Sequence, residues 1–270
     1  MKKYITIATL LAAGSAFANA AELVAHYAFN NNATDTTEKN SFAGIDFLTY
    51  AAHEGALDDL GAYLYCNDDS SAMWNGTTNG FTASNMAFSA LIRVDTLPVG
   101  TDSEHPGWTA QWILGGGTTA DGGPKLGIGS DGQLKFSLHN VGGALNSGTT
   151  SVVSTGDWCQ IGFSLQTLSN DTRTLTLWLN GNAVVTTENY GYDLVWNNKM
   201  ALVEGKDACA NRFRGGLDEV KVWTVSSNDD VAELMSKEAS AIPEPSTFGL
   251  LAGLGALALV ASRRRRVKKA

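Results

Sequence analysis

The feature that most constrains this chain is an alternation of apolar and polar residues with period two, repeated through its middle. Met86, Phe88, Ala90, Ile92 and Val94 fall on one face of an extended segment. Leu134, Phe136 and Leu138 alternate with Lys135, Ser137 and His139. Ile161, Phe163 and Leu165 follow the same rule, and Leu175, Leu177 and Leu179 alternate with Thr174, Thr176 and Trp178. Successive side chains of a strand point to opposite faces, so the pattern describes half-buried antiparallel strands. Turn dipeptides such as Asn79-Gly80, Asp131-Gly132 and Asn180-Gly181 separate them. A helical pattern is confined to Asn228–Ala239, with Asn228 or Ser227 as its cap. With no internal repeat or linker, residues 21–240 read as one all-β domain of two stacked antiparallel sheets.

Both ends differ from this middle. Met1-Lys2-Lys3, the apolar run Ile5–Leu11 and Ala18-Asn19-Ala20 form a secretory signal peptide over residues 1–20, with cleavage expected after Ala20. At the other end, residues 241–270 contain Pro243-Glu244-Pro245, the uncharged apolar run Thr247–Ser262, and Arg263, Arg264, Arg265 and Arg266. Such a run predicts a single C-terminal apolar helix that enters the membrane with its arginines cytoplasmic. Once these ends are set aside, residues 21–240 hold 11 basic and 26 acidic side chains, a net charge of −15. A nucleic-acid partner is excluded, because phosphate neutralisation needs clustered Lys and Arg.

The order Pro243-Glu244-Pro245, apolar helix, arginine cluster resembles the PEP-CTERM sorting tail of Gram-negative surface proteins. That resemblance implies processing by an exosortase-type enzyme and delivery to the cell surface or outer envelope, or release. A retained single-pass anchor would use the same physics. In the middle, His26-Tyr27-Ala28-Phe29 with Asp35 and Gly44, then Phe88–Ile92, Asp157-Trp158, Leu177-Trp178-Leu179-Asn180-Gly181 and Phe213–Trp223 resemble LamG-like (concanavalin A-type) domains. The resemblance implies a two-sheet antiparallel jelly-roll sandwich, with ligand work at a rim or an open sheet face. Relatives often hold one calcium at the rim, and Asp35 and Asp218 are the positions it implies as ligands.

Residues fit for chemistry are few. A glycosidase needs two carboxylates about 5–5.5 Å apart for retention or about 6.5–9.5 Å for inversion. The Glu-x-Asp-x-x-Glu string of laminarinase-like relatives is absent, and Asp218 and Glu219 are adjacent in a strand, so they diverge. The glycines Gly127, Gly129 and Gly132 match a dinucleotide string, but an alternating strand follows where a helix N-terminus is required. His26, His53, His105 and His139 lack metal spacing, so zinc is not expected. Of three cysteines, Cys159 shares parity with Ile161 and reads as core, which leaves Cys66–Cys209 as the favoured bridge, though sequence does not fix connectivity.

Tryptophan points toward sugars, whose apolar ring faces stack on indole while Asn, Asp and Gln take the hydroxyls. Trp158 and Trp223 read as core. Trp178 falls opposite the leucines of its strand, beside Asn180, either as a platform or as a residue covered by a loop. Trp108 and Trp112 fall in the loop-like stretch Thr101–Gly117, where packing and binding are equally open. The expectation is an exported, non-catalytic module that binds an extracellular glycan or mediates adhesion. A structural matrix protein without glycan binding is the alternative, and a glycosidase the third.

Overall fold

The computed structural model describes residues 21–240 except 41, 44–48, 54–56, 58, 59, 67–72, 76–80, 82–84, 100–109, 116–122, 139–141, 149, 193, 195–199 and 205–212. The signal segment with Ala20, the sorting tail with Pro243, Glu244, Pro245 and Arg263–Arg266, and Trp108 and Cys209 lie outside the described residues. Within them no helix is long and apolar enough to cross a membrane.

Fifteen strands and one helix are described. In chain order the strands are β1 (Glu22–Tyr27), β2 (Phe42–Ala43), β3 (Thr49–Ala52), β4 (Ala62–Cys66), β5 (Met73–Asn75), β6 (Met86–Val94), β7 (Ala110–Gly115) and β8 (Pro124–Gly129). They continue with β9 (Leu134–Leu138), β10 (Gly142–Asn146), β11 (Trp158–Thr167), β12 (Arg173–Leu179), β13 (Asn182–Glu188), β14 (Ala201–Glu204) and β15 (Gly215–Thr224), before the helix α1 (Val231–Ala239). The larger sheet runs β13-β12-β11-β6-β15-β4-β3, with β1 also on β15; the smaller runs β10-β9-β8-β7-β14-β5-β2. All named strand pairings are antiparallel, as the alternation requires.

The alternating residues meet between the sheets. Phe88, Ile92, Phe136, Phe163, Leu175 and Leu177 are buried in one continuous core. The Phe163 ring lies 5.8 Å from Phe88 and 5.0 Å from Phe136 between centroids, the offset and tilted geometry aromatic rings favour. Residues directly across a strand pair face the same side, so Phe163 opposite both Phe88 and Leu177 fixes the register of three strands. Asn180 and Gly181 both adopt positive φ, 50° and 74°, the two-residue turn whose twist matches paired strands.

Two expectations are corrected here. The helix begins at Val231, two or three residues later than Asn228 or Ser227 as cap would give, because the Asp230 side chain accepts the Glu233 N–H at 2.9 Å. Removing that acceptor (Asp230→Ala) is expected to cost about 1 kcal/mol in a denaturation midpoint, while Asp230→Asn stays within a few tenths. The Cys66–Cys209 bridge is not formed: Cys66 is a free thiol at 1% exposure inside the core, and its burial raises its pKa far above the ordinary range. Cys159 is likewise a free, buried thiol, raised to about 12 by the same desolvation and by the nearby Asp157 charge.

Candidate functional site

The outer face of the larger sheet carries two clusters, one beneath α1 and one around Trp158. Trp178 on β12 faces outward, as its place among the leucines requires, but it is only 6% exposed. It packs with Ala87, Trp223, Val225, Val231 and Met235 in a second apolar cluster beneath α1. Its indole N–H donates to Ser164 Oγ at 2.9 Å. Trp178 is therefore not an open stacking platform; α1 covers it because Val231 and Met235 need an apolar surface. Asn180 is drawn into the hairpin instead of a binding surface, its Oδ1 accepting the Gln160 N–H at 2.9 Å.

Beside this covered tryptophan lies a groove of about 460 Å³. Its floor is sheet: Ser164 and Gln166 of β11 stand opposite Thr176 and Thr174 of β12, with Trp178 next along. Its wall is the segment Ser227–Ala232, which leads into α1. Gln166 fixes that wall, donating from Nε2 to Ser226 O at 2.6 Å and to Asp229 O at 3.0 Å. Asp229 Oδ2 accepts the Ser226 N–H at 2.5 Å and Asp230 Oδ1 caps the helix. Thr176 Oγ1 pairs with Thr186 Oγ1 at 3.2 Å, whereas the Thr174 hydroxyl is buried with no hydrogen-bond partner. The groove thus presents hydroxyls, the amides of Gln166 and Asn228 and two carboxylates around an aromatic edge, an inventory suited to a polyhydroxylated ligand. In sequence Asp229-Asp230 is one of three acidic pairs, with Asp58-Asp59 and Asp68-Asp69, that invite a calcium reading; Gln166, reaching across from β11, makes it a wall.

The end around Trp158 holds a polar-aromatic cluster that sequence reasoning missed. His53 Nε2 and Asp218 Oδ2 are 2.8 Å apart, both side chains 0% exposed. The His53 ring packs against Tyr63 and Trp158, with centroids 4.9 and 4.7 Å away. Arg93 lies over both of those rings and donates to Asp95 at 3.0 Å. Trp158 is half-buried here, not interior, because it lies across the backbone of Gly216, where a Cβ would overlap the indole. Nothing in the sequence flags the pair, since His53 and Asp218 are 165 residues apart.

Asp35 and Asp218, the expected calcium ligands, do not fit that role. Asp35 is fully buried and accepts from the backbone N–H groups of His26, Thr37, Lys39 and Asn40 and from the Thr37 hydroxyl, at 2.6–3.1 Å. Five donors already aim at its two oxygens, and a cation would meet their positive ends. Asp218 is committed to His53. Among the described residues, no three His, Cys, Asp or Glu side chains converge as a metal site would need. Trp112, expected in a loop, sits on β7 of the other sheet, half-buried, with the Lys125 ammonium 5.6 Å from its ring centroid.

Next to Asp218, Glu219 bonds to His26 at 2.9 Å and to Lys221 at 2.9 Å, and Lys221 bonds to Glu238 of α1 at 2.6 Å. Burial alone would raise the Glu219 carboxyl, but the bonds from His26 and Lys221 outweigh it and hold it at about 2. A depressed carboxyl contributes stability that is complete above its ordinary value of 4.5 and lost as pH falls toward 2. Glu219→Gln is expected to flatten that acid limb in melting curves recorded against pH. An unchanged limb would show that the network contributes no such term.

This geometry can be set beside known proteins. Residues 67–231 match the model of the concanavalin A-like lectin/glucanases superfamily. The chain belongs to that superfamily. Residues 241–266 match the PEP-CTERM protein-sorting motif, so the concanavalin A-like domain precedes a tail that marks export. Among solved structures, the chain resembles domain 4 of a GH43 extracellular arabinanase from Geobacillus stearothermophilus, solved in complex with arabinotriose (TM-score 0.59, 16% identity, 82% of this chain and 99% of that one). It also resembles the binding domain of Paraclostridial Mosquitocidal Protein 1 (TM-score 0.62, 14% identity, 81% of this chain and 52% of that one). The botulinum neurotoxin type G receptor binding domain is a further likeness (TM-score 0.56, 9% identity, 81% and 51%). The chain thus spans about half of each toxin domain, and at these identities the likeness is one of fold. No curated protein matches the chain.

Proposed function

We propose that this is an exported, non-catalytic protein whose concanavalin A-like domain binds carbohydrate, or mediates adhesion through it, at the cell surface. The observation that carries the reading is the groove of about 460 Å³ floored by Ser164, Gln166, Thr174 and Thr176 and walled by Asp229 and Asp230. The carboxylates of Asp229 and Asp230 each keep one oxygen outside the bonds that build the wall, where a ligand hydroxyl can donate. The arabinotriose complex of a domain with the same fold supports the ligand class. The two carboxylates nearest a catalytic pairing, Asp218 and Glu219, are each committed to structural partners, which supports a binding role over hydrolysis.

On the same reading, the signal peptide is removed after Ala20 and an exosortase-type enzyme acts near Pro243-Glu244-Pro245. The segment 247–262 holds the chain in the membrane until then, with Arg263–Arg266 on the cytoplasmic side. A glycan array probed with the full-length protein tests the binding claim. Asp229→Asn, whose side-chain oxygen still accepts the Ser226 N–H, is expected to weaken the positive signals about tenfold with unchanged melting. Chelator is expected to change neither result. An array silent for every glycan would favour a matrix protein that packs without binding sugar.

A further inference from the structure

We propose that the groove takes an amino sugar, a pyranose unit with a free protonated amine, in preference to neutral, acetylated or anionic units. This deepens the carbohydrate-binding reading and rests on it. Both Nε2 bonds of Gln166 go to the wall, and the Trp178 N–H goes to Ser164. The N–H donors of the floor are therefore spent on its own construction, which leaves the Asn228 amide and the Ser227 hydroxyl as the side-chain donors of the wall. What remains is rich in acceptors, two of them charged: Gln166 Oε1 and the second oxygens of Asp229 and Asp230. A ligand that fits such a surface supplies donors, and an ammonium group supplies three with a charge. No lysine or arginine lines the groove. An anionic sugar would meet two carboxylates with nothing to neutralise it. The net charge of −15 over residues 21–240 adds long-range attraction for a cationic polymer.

Calorimetric titration of the full-length protein at low salt, in mildly acidic buffer, separates the outcomes. Four probes are used: a glucosamine oligomer, its N-acetylated counterpart, a neutral glucan oligomer and an oligogalacturonate. A fifth, a simple aliphatic diamine, carries the amine without the sugar. The glucosamine oligomer is expected to bind about tenfold more tightly than the acetylated or neutral ones, as a charge-assisted bond predicts, and the galacturonate not at all. The double variant Asp229→Asn, Asp230→Asn should erase the preference. It keeps the fold, because asparagine still caps the helix and its side-chain oxygen still accepts the Ser226 N–H; an unchanged melting temperature verifies this. Equal affinity for acetylated and free oligomers overturns this inference and leaves the carbohydrate reading standing. Equal binding of the diamine overturns it too, since the site would then read an amine without a sugar. Failure of every oligosaccharide to bind removes the carbohydrate reading itself.

Discussion

Asp35→Ala is expected to lower folding stability by about 4 kcal/mol, measured by chemical denaturation of the full-length protein. The carboxylate is fully buried, and four backbone N–H groups with one hydroxyl converge on its two oxygens. A hydrogen bond to a charged group contributes about 1.5–3 kcal/mol, and a donor left buried without a partner costs about 1–3 kcal/mol. Alanine orphans several at once, so even partial rehydration leaves a loss near the upper end of single substitutions. Asp35→Asn is expected to be nearly as damaging. Oδ1 accepts two N–H groups and Oδ2 accepts two more with the Thr37 hydroxyl, so whichever oxygen becomes an amide nitrogen points donors at donors. The cost is expected to be unaffected by chelator, because both oxygens are taken by donors that organise the chain after β1. A loss under about 1 kcal/mol, or one that chelator reproduces in the wild type, would overturn this account.

His53→Ala is the second large effect, expected to cost about 3–5 kcal/mol, because removing one member of a buried pair strands the other. Asp218 would remain in the cluster of Tyr63 and Trp158 with neither of its oxygens bonded to a side chain; Oδ1 already lacks a partner. The ring's loss also opens a void between two aromatics about 5 Å from it. Asp218→Asn behaves differently, staying within about 1 kcal/mol, since it removes a buried charge while keeping shape and a bond to His53. Burial raises the Asp218 carboxyl, and the His53 hydrogen bond offsets this only in part. A raised carboxyl is least costly when protonated, so its contribution is most favourable in acid and declines as pH rises through its shifted value. The wild type should therefore gain on Asp218→Asn as pH falls. Parallel stability curves for the two proteins would contradict the assignment.

How far the sequence reached depended on the range of the interaction. The strands at Met86–Val94, Leu134–Leu138, Trp158–Thr167 and Arg173–Leu179 were legible because alternation is a local consequence of the pleat. The outward direction of Trp178 followed from the same parity. Whether that face was wet did not, because the cover comes from Val231 and Met235, more than fifty positions away. Asp35 was visible as a position of interest, but its role was not: four backbone amides carry no side-chain signature in a sequence. Trp158 read as core because large aromatics usually are, and only the backbone of Gly216 beneath it shows why it rests half-open on the sheet.

By itself the sequence determined a sandwich of antiparallel strands followed by a sorting motif, because periodicity and motif order act over a few neighbouring residues. Tertiary structure alone decided which carboxylates are spent and which are available. Asp35 and Asp218 are buried against amides and a histidine, while Asp229 and Asp230 are set as a wall over β11 and β12. A carboxylate's role depends on which donors reach it and whether water does. Those donors come from strands brought together by the sheet order, which no local pattern contains.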